Sequence, residues 1–396
     1  MQRPARAIDL AELTGRPGLT AQVDGLCALA VDGLTRMLLA ASLQYPQTAR
    51  RSADGGSLVL EGCNPRYAAM AALGLSRVGP AVPDGVLQGR PLKELVERTI
   101  QDALAGSDPG AIALAAWAAA ETGTPAGAQL WDRLTDVLAG QVPVPTVDYS
   151  WALTAAVATV DLPDRQRLMD VAARRLMGLQ GGRGIFPHLL PPQVQGRFRA
   201  HVGCYADQVY PIQALARYFV VSGDGAALDA ANHCAERIVQ LQGAQGQWWW
   251  HYDARTGDVV EGFPVYSVHQ HAMGPMALLD LFEAGGRDLR SAVADGLAWI
   301  EDHPESTEPL VDASLGVVWR KIGRREPRKA VRKLRAVTTS LRPGLRFGVL
   351  DAAFPPGPVD HECRPYELGW LLYAWHGRGV VEQLTSHPYR ASDADA

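Results

Sequence analysis

The chain has 396 residues, 47% of them apolar, with a formal net charge of −4. That balance argues against nucleic acid as the main partner and leaves ample material for a large core. Cys27, Cys63, Cys204, Cys234 and Cys363 form no CxxC pair and read as reduced thiols. Met1-Gln-Arg-Pro-Ala-Arg6 leads into no apolar run of signal-peptide length, and stretches such as 112–120 are too short to span a bilayer. A cytoplasmic protein without a transmembrane segment is expected.

In chain order, residues 1–20 read as an N-terminal extension, 21–380 as one domain and 381–396 as a tail. Helical periodicity covers 22–42, 66–76, 92–105, 110–122, 127–139, 148–159, 163–179, 207–220, 226–241, 268–284, 288–301 and 366–376, which makes six pairs. The second member of a pair is poorer in charge, as in Ala111 to Ala120 and Trp151 to Val160, and the first carries runs such as Lys93-Glu-Leu-Val-Glu-Arg98. Helices apolar around most of their circumference are buried on both sides, so the second members are expected to form an inner ring. Long Gly/Pro-rich loops at 181–204, 243–265 and 338–363 precede inner helices and hold aromatic and polar residues in unusual density. Leu315 to Ile322 has β-branched residues and no helical stripe, so it reads as an extended crossing that opens a basic run from Arg320 to Arg335.

One turn occurs twice, as Gln180-Gly-Gly-Arg-Gly184-Ile-Phe186 and Gln242-Gly-Ala-Gln-Gly246-Gln-Trp248, 62 residues apart. Each copy follows a helical stretch and precedes a Tyr-rich segment that turns helical. A period this long marks a repeat architecture. The turn resembles the QW repeats of the terpenoid-cyclase and prenyltransferase toroids. The plan of hairpins with aromatic loops also resembles six-hairpin glycosidases and toroidal polysaccharide lyases. These resemblances imply an all-α fold, an (α/α)6 toroid of about six helical hairpins with an aromatic cavity on the loop-bearing face. The Asp-x-Asp-Asp tetrad of class II cyclases is absent. Where prenyltransferases have an Asp-x-Cys zinc pair this chain has Val202-Gly203-Cys204-Tyr205, and the Cys-His-Gly motif of lanthionine cyclases is missing. Cys204, His233, Cys234, His361 and Cys363 lack the paired spacing of a zinc site, so no metal or other cofactor is expected.

Three clusters carry candidate chemistry. Trp248, Trp249 and Trp250 precede Asp253, Tyr266, His269 and His271. Tyr266 and His269 share a helical face, whereas His271 lies roughly 200° further round. His269 is therefore the candidate base and Tyr266 the proton donor, with the tryptophans stacking on sugar rings. The second cluster, Glu362 to Tyr366, echoes Asn64-Pro65-Arg66-Tyr67, and Arg364 and Arg66 would clamp an acidic group. In the third, Tyr205, Asp207 and Tyr210 open an inner helix, and Asp207 with Glu362 would orient or protonate. The plain alternatives are a core histidine, a helix-capping Asp207 and a Glu362 that only neutralises Arg364.

These readings converge on a carbohydrate-active enzyme for an anionic, uronate-containing saccharide, working by lyase- or epimerase-like proton abstraction or by hydrolysis. The alternatives are an isoprenoid-handling relative of cyclases or prenyltransferases, and a glycan-binding toroid without catalysis. The basic run Arg320 to Arg335 is read either as a solvated helix face or as a contact for an anionic surface.

Overall fold

The computed structural model describes residues 2–140 and 143–386; part of the expected tail, 387–396, lies outside the described residues. Six inner helices, Pro65–Leu75, Pro109–Thr122, Thr146–Ala158, Ala206–Ser222, Gly274–Glu283 and Pro365–His376, pack each against the next, and the last closes on the first. Gly18–Met37, Leu92–Ala105, Ala128–Ala139, Arg165–Met177, Gly225–Gln240 and Arg290–Glu301 form the outer ring. The fold is an (α/α)6 toroid.

Burial explains the sorting. Every residue from Gly110 to Ala119 is buried, which only a helix packed on two sides permits, whereas the outer Leu92–Ala105 helix buries a single stripe of Leu95, Val96, Thr99, Ile100 and Ala103. The ring closes where the first and last inner helices cross through glycines. A Cβ on Gly74 would come within 2.2 Å of the Gly369 carbonyl oxygen, and one on Gly369 within 2.5 Å of the Met70 carbonyl oxygen. Three inner helices begin with proline, at Pro65, Pro109 and Pro365, where the missing N–H costs nothing. The residue before each proline, Asn64, Asp108 or Arg364, therefore stands at the mouth of the ring.

The repeated turn is a tether. Gln180 Nε2 donates to the Gly184 and Ala230 carbonyls, both at 2.9 Å, and Gln242 Nε2 donates to Gly246 at 2.7 Å and Ala292 at 2.9 Å. Each glutamine thus ties the end of one outer helix to the next. Gly184 and Gly246 have φ of 88° and 91°, a region that favours glycine. The aromatic that follows is locked as well: Phe186 N–H donates to Gln208 Oε1 at 2.8 Å and Trp248 N–H to Gln270 Oε1 at 3.2 Å. Every one of these partners recurs at the 62-residue offset.

The loops expected at 181–204, 243–265 and 338–363 are more ordered than their composition suggests. Val202–Cys204, His251–Asp253 and Val259–Glu261 form one antiparallel sheet, and Val265–Tyr266, Lys321–Arg324 and Pro356–Asp360 another. A third joins Thr48–Arg51 to Leu58–Glu61 and Glu362–Cys363. The extended crossing appears as Val317–Val318 and Lys321–Arg324. The end of the basic run lies on a helix, Ala330–Leu341, and a π-helical turn not expected from the sequence, His269–Met273, opens the fifth inner helix. Within 1–20, Ala5–Thr14 is helical and packs on the toroid, its buried Arg6 donating to Asp280 and Glu283 at 2.7 Å. Among the described residues no helix is long and apolar enough to cross a membrane.

Candidate active site

Where the inner helices converge, the ring encloses a cavity of about 200 Å³. Trp151, Tyr210, Trp250, Tyr266 and Tyr366 give it aromatic walls, and Arg66, Arg320 and Arg364 bring charge to it. A larger hollow of about 520 Å³ lies between the N- and C-terminal segments, where Arg6 and Glu283 are already paired. The axial cavity is the better candidate because the buried ionisable groups gather there.

One wall is built on Arg66. Its Nε donates to Asp108 Oδ2 at 2.6 Å, and Nη1 and Nη2 donate to the two oxygens of Asp148 at 2.7 and 2.8 Å. Nη2 also donates to Asp108 Oδ1. The two carboxylates differ in setting. Burial pushes the Asp148 carboxyl above its ordinary range, with Arg66 opposing. Burial also works against the Asp108 carboxylate, but the Arg66 hydrogen bond and charge prevail and hold it below. A pair of acids driven in opposite directions is the arrangement general acid–base chemistry needs. The expected role of Arg66 as a substrate clamp is not what its contacts support, since four of its five donors and its charge are engaged by Asp108 and Asp148.

A second wall carries Arg320 and Arg364. Arg364 donates from Nη1 to the Tyr67 hydroxyl at 2.7 Å and from Nε to Glu362 Oε1 at 2.5 Å. Arg320 donates from Nε to Glu367 Oε1 at 3.1 Å and lies 5.0 Å from the Tyr266 ring centre. Glu367 is completely buried, and burial lifts its carboxyl to about 7 while Arg320 and Arg364 oppose. Glu362 is shared among Arg364, Arg320 and Arg50. It neutralises arginines, so the expected role as a substrate acid is not what its contacts support.

His269 lines the cavity and His271 does not, but not through a shared α-helical face, because Tyr266 ends a strand and His269 opens a π-helical turn. The His269 ring lies between Tyr205 at 4.4 Å, Tyr266 at 5.0 Å and Trp250 at 5.8 Å. Burial first, then the charge of Arg320, push its pKa well below the ordinary value. Both ring nitrogens of the buried His271 lack partners.

Several other candidates sit elsewhere. Trp248 is fully buried against Tyr205, and Trp249 packs on Phe263 and donates to the Leu241 carbonyl, so of the three tryptophans Trp250 alone reaches the cavity. Tyr205 lies behind His269 rather than in the cavity, whereas Tyr210 and Tyr366 line it. Tyr210 accepts from Trp370 Nε1 at 2.8 Å, and Tyr366 packs on Tyr67 at 4.9 Å. Asp253 is taken by Arg255 through two side-chain hydrogen bonds. Asp207 is wholly buried and accepts from the Cys204 N–H at 2.7 Å, with His188 Nδ1 3.0 Å away.

The basic run is not a single solvated face. Arg320 enters the cavity, and Arg324 and Arg335 are buried against Glu261 at 3.0 and 2.8 Å. Its exposed cations are Arg325, Arg328, Lys329 and Lys333, with Arg332 half-buried.

Asp108, Asp148, Arg320, Glu367 and Trp151 were missed as site residues. Asp148 carried the signal that singled out Asp207, a lone acid in an otherwise apolar inner helix. Asp108 carried that of Arg66 and Arg364, a polar residue flanking a helix-opening proline.

No family model matches the sequence, and no curated protein matches it. The fold has solved counterparts. An unsaturated glucuronyl hydrolase specific for heparin aligns at a TM-score of 0.56 and 12% identity, covering 92% of this chain and 98% of that one. The unsaturated glucuronyl hydrolase of Bacillus sp. GL1, described as responsible for glycosaminoglycan degradation, gives 0.55 and 13%, covering 92% and 98%. A protein of Salmonella enterica serovar Paratyphi A described as a possible member of the GH105 family gives 0.51 and 10%, covering 92% and 95%. At these identities the likeness establishes the shared toroid.

Proposed function

We propose that this chain is a glycoside hydrolase acting on the terminal residue of an anionic, uronate-containing saccharide. The observation that carries this reading is one small cavity lined by Arg66, Arg320 and Arg364, in which Arg66 holds the opposed carboxyl pair Asp148 and Asp108. At about 200 Å³ it is smaller than the ~300 Å³ at which drug-sized pockets begin, which suits one sugar ring better than a stretch of polymer. Arg320 and Arg364 would hold the ring's carboxylate, and the aromatic walls, Trp250 and Tyr366 among them, would take its apolar faces. Asp148, the more readily protonated carboxyl, would give its proton to the leaving oxygen. Asp108 would remain ionised and take the proton of the incoming water or stabilise positive charge at the anomeric carbon. Water adds across the broken glycosidic bond.

Hydrolysis is favoured over proton abstraction by the state of His269. Burial and the Arg320 charge lower the His269 pKa well below its ordinary value, which weakens it as an acceptor for a proton taken from carbon. It serves as a flat wall instead. The isoprenoid reading is disfavoured because the cavity lining contains three arginines and neither phenylalanine nor leucine. The five cysteines are all free, which suits a reducing compartment and supports the proposed cytoplasmic location. The test is release of the terminal sugar from a panel of uronate-ended and neutral disaccharides.

Binding of the anion is expected to depend on pH through Glu367. Its folded pKa of about 7 is raised by burial, so the folded state holds this proton more tightly than the unfolded chain does. Stability from this group therefore falls as pH rises from the ordinary carboxyl range through about 7. Above that point the ionised Glu367 competes with substrate for Arg320. KM for an acidic disaccharide should rise between pH 6 and 8 in the wild type and stay flatter in Glu367→Gln; identical profiles would remove Glu367 from the binding wall.

A further inference from the structure

His188, Cys204 and Asp207 come together beside the cavity, with one nitrogen, sulfur or oxygen from each lying within 4.8 Å of the others. We propose that these three side chains hold a zinc-class divalent cation, with a remaining coordination position open toward the axial cavity. Imidazole, thiolate and carboxylate are the ligand types such ions take, and three protein ligands leave a place for water or a substrate oxygen.

The repeat supports the placement. At the 62-residue offset, His188, Cys204 and Asp207 correspond to Trp250, Tyr266 and His269, all three of which line the cavity. In that later copy the three positions are filled by stacked rings with neither a thiol nor a carboxylate, so the hairpin does not need those groups to pack. The earlier copy places a thiol, an imidazole and a wholly buried carboxylate at the same three places. Ala206 and Tyr210, on the same helix opening, line the cavity, and the His188 side chain is 40% exposed. Asp207 also accepts from the Cys204 N–H at 2.7 Å, which fixes the carboxylate beside the sulfur. Zinc–ligand distances of about 2.0–2.3 Å put tetrahedral ligands roughly 3.3–3.8 Å apart, so the cluster needs shifts on the order of 1 Å to close on an ion.

Without a cation, burial and the Asp207 carboxylate keep Cys204 a thiol. Binding would replace the sulfur-bound proton by a metal–sulfur bond and release that proton to solvent. The sequence suggested no metal because His188 precedes Cys204 by 16 residues, far from any paired spacing.

The test needs no substrate and so stands apart from the hydrolase reading. Full-length protein stripped with a chelator is loaded with cobalt chloride, desalted, and measured for bound metal and visible absorption. One cobalt per chain is expected, with a thiolate-to-cobalt charge-transfer band that disappears in Cys204→Ser. Affinity should fall at least about tenfold in His188→Ala and remain unchanged in His233→Ala. Circular dichroism checks that each variant folds, and the wild-type stoichiometry is decisive without them. Absence of stoichiometric cobalt in the wild type, or a spectrum unaltered by folded Cys204→Ser, would overturn the site.

Discussion

Asp148→Asn is expected to lower kcat on a uronate-ended disaccharide by roughly 10³-fold, within the range a positioned general acid supplies, while the protein stays folded. Asparagine has the same shape and can still accept from Arg66 through its carbonyl oxygen. What it lacks is a proton it can give up. Asp148 is buried, with its carboxyl shifted upward, and the partner Asp108 is shifted downward by the same guanidinium. The loss should therefore fall on kcat rather than on KM, and the acidic limb of the pH–rate profile should not rescue it. A variant that turns over at the wild-type rate with a normal melting curve would take Asp148 out of the chemistry.

Arg320→Met should separate acidic from neutral substrates. A charge-assisted hydrogen bond to a carboxylate contributes about 1.5–3 kcal/mol, which corresponds to a rise of roughly 10- to 150-fold in KM for the uronate-ended substrate. The carboxyl-reduced analogue should be affected much less. Methionine keeps most of the aliphatic stem, and Glu367, already near 7, can take a proton when its cationic partner is lost. The fold should therefore survive a substitution that would otherwise strand a buried charge. Equal losses on the acidic and reduced substrates would show that Arg320 supports the wall without reading the carboxylate.

The ring of helices was legible because its signal is local. Inner helices such as Pro109–Thr122 are apolar all round, outer ones such as Leu92–Ala105 carry a single stripe, and the repeated glutamine turn sets the period. Of the tyrosines placed at inner-helix entrances, Tyr266 and Tyr366 reach the axial cavity and Tyr205 does not. Partnerships across the ring were not legible. Arg66 meets Asp108 and Asp148 from 42 and 82 residues away, so it reads as a free clamp although its charge is already paired with two carboxylates. Arg320 read as one more charge in a basic run because the run's sheet and helix, not its composition, decide which arginines turn inward. Trp248, Trp249 and Trp250 looked like one stacking surface, yet a change of direction at each residue gives the core, Phe263 and the cavity one apiece. Asp108 and Asp148 were visible as residue types in telling places; their joint hold on one guanidinium was not.

The most direct measurement is kcat/KM of the wild-type protein for a disaccharide ending in a uronate, set beside the same disaccharide with that carboxyl reduced to an alcohol. Release of the terminal sugar from the acid, favoured by at least about tenfold over the alcohol, is the result predicted by a cavity with Asp148 held by Arg66 on one wall and Arg320 and Arg364 on another. Equal rates on the two, or no cleavage of either while a neutral glycan is hydrolysed, would contradict it.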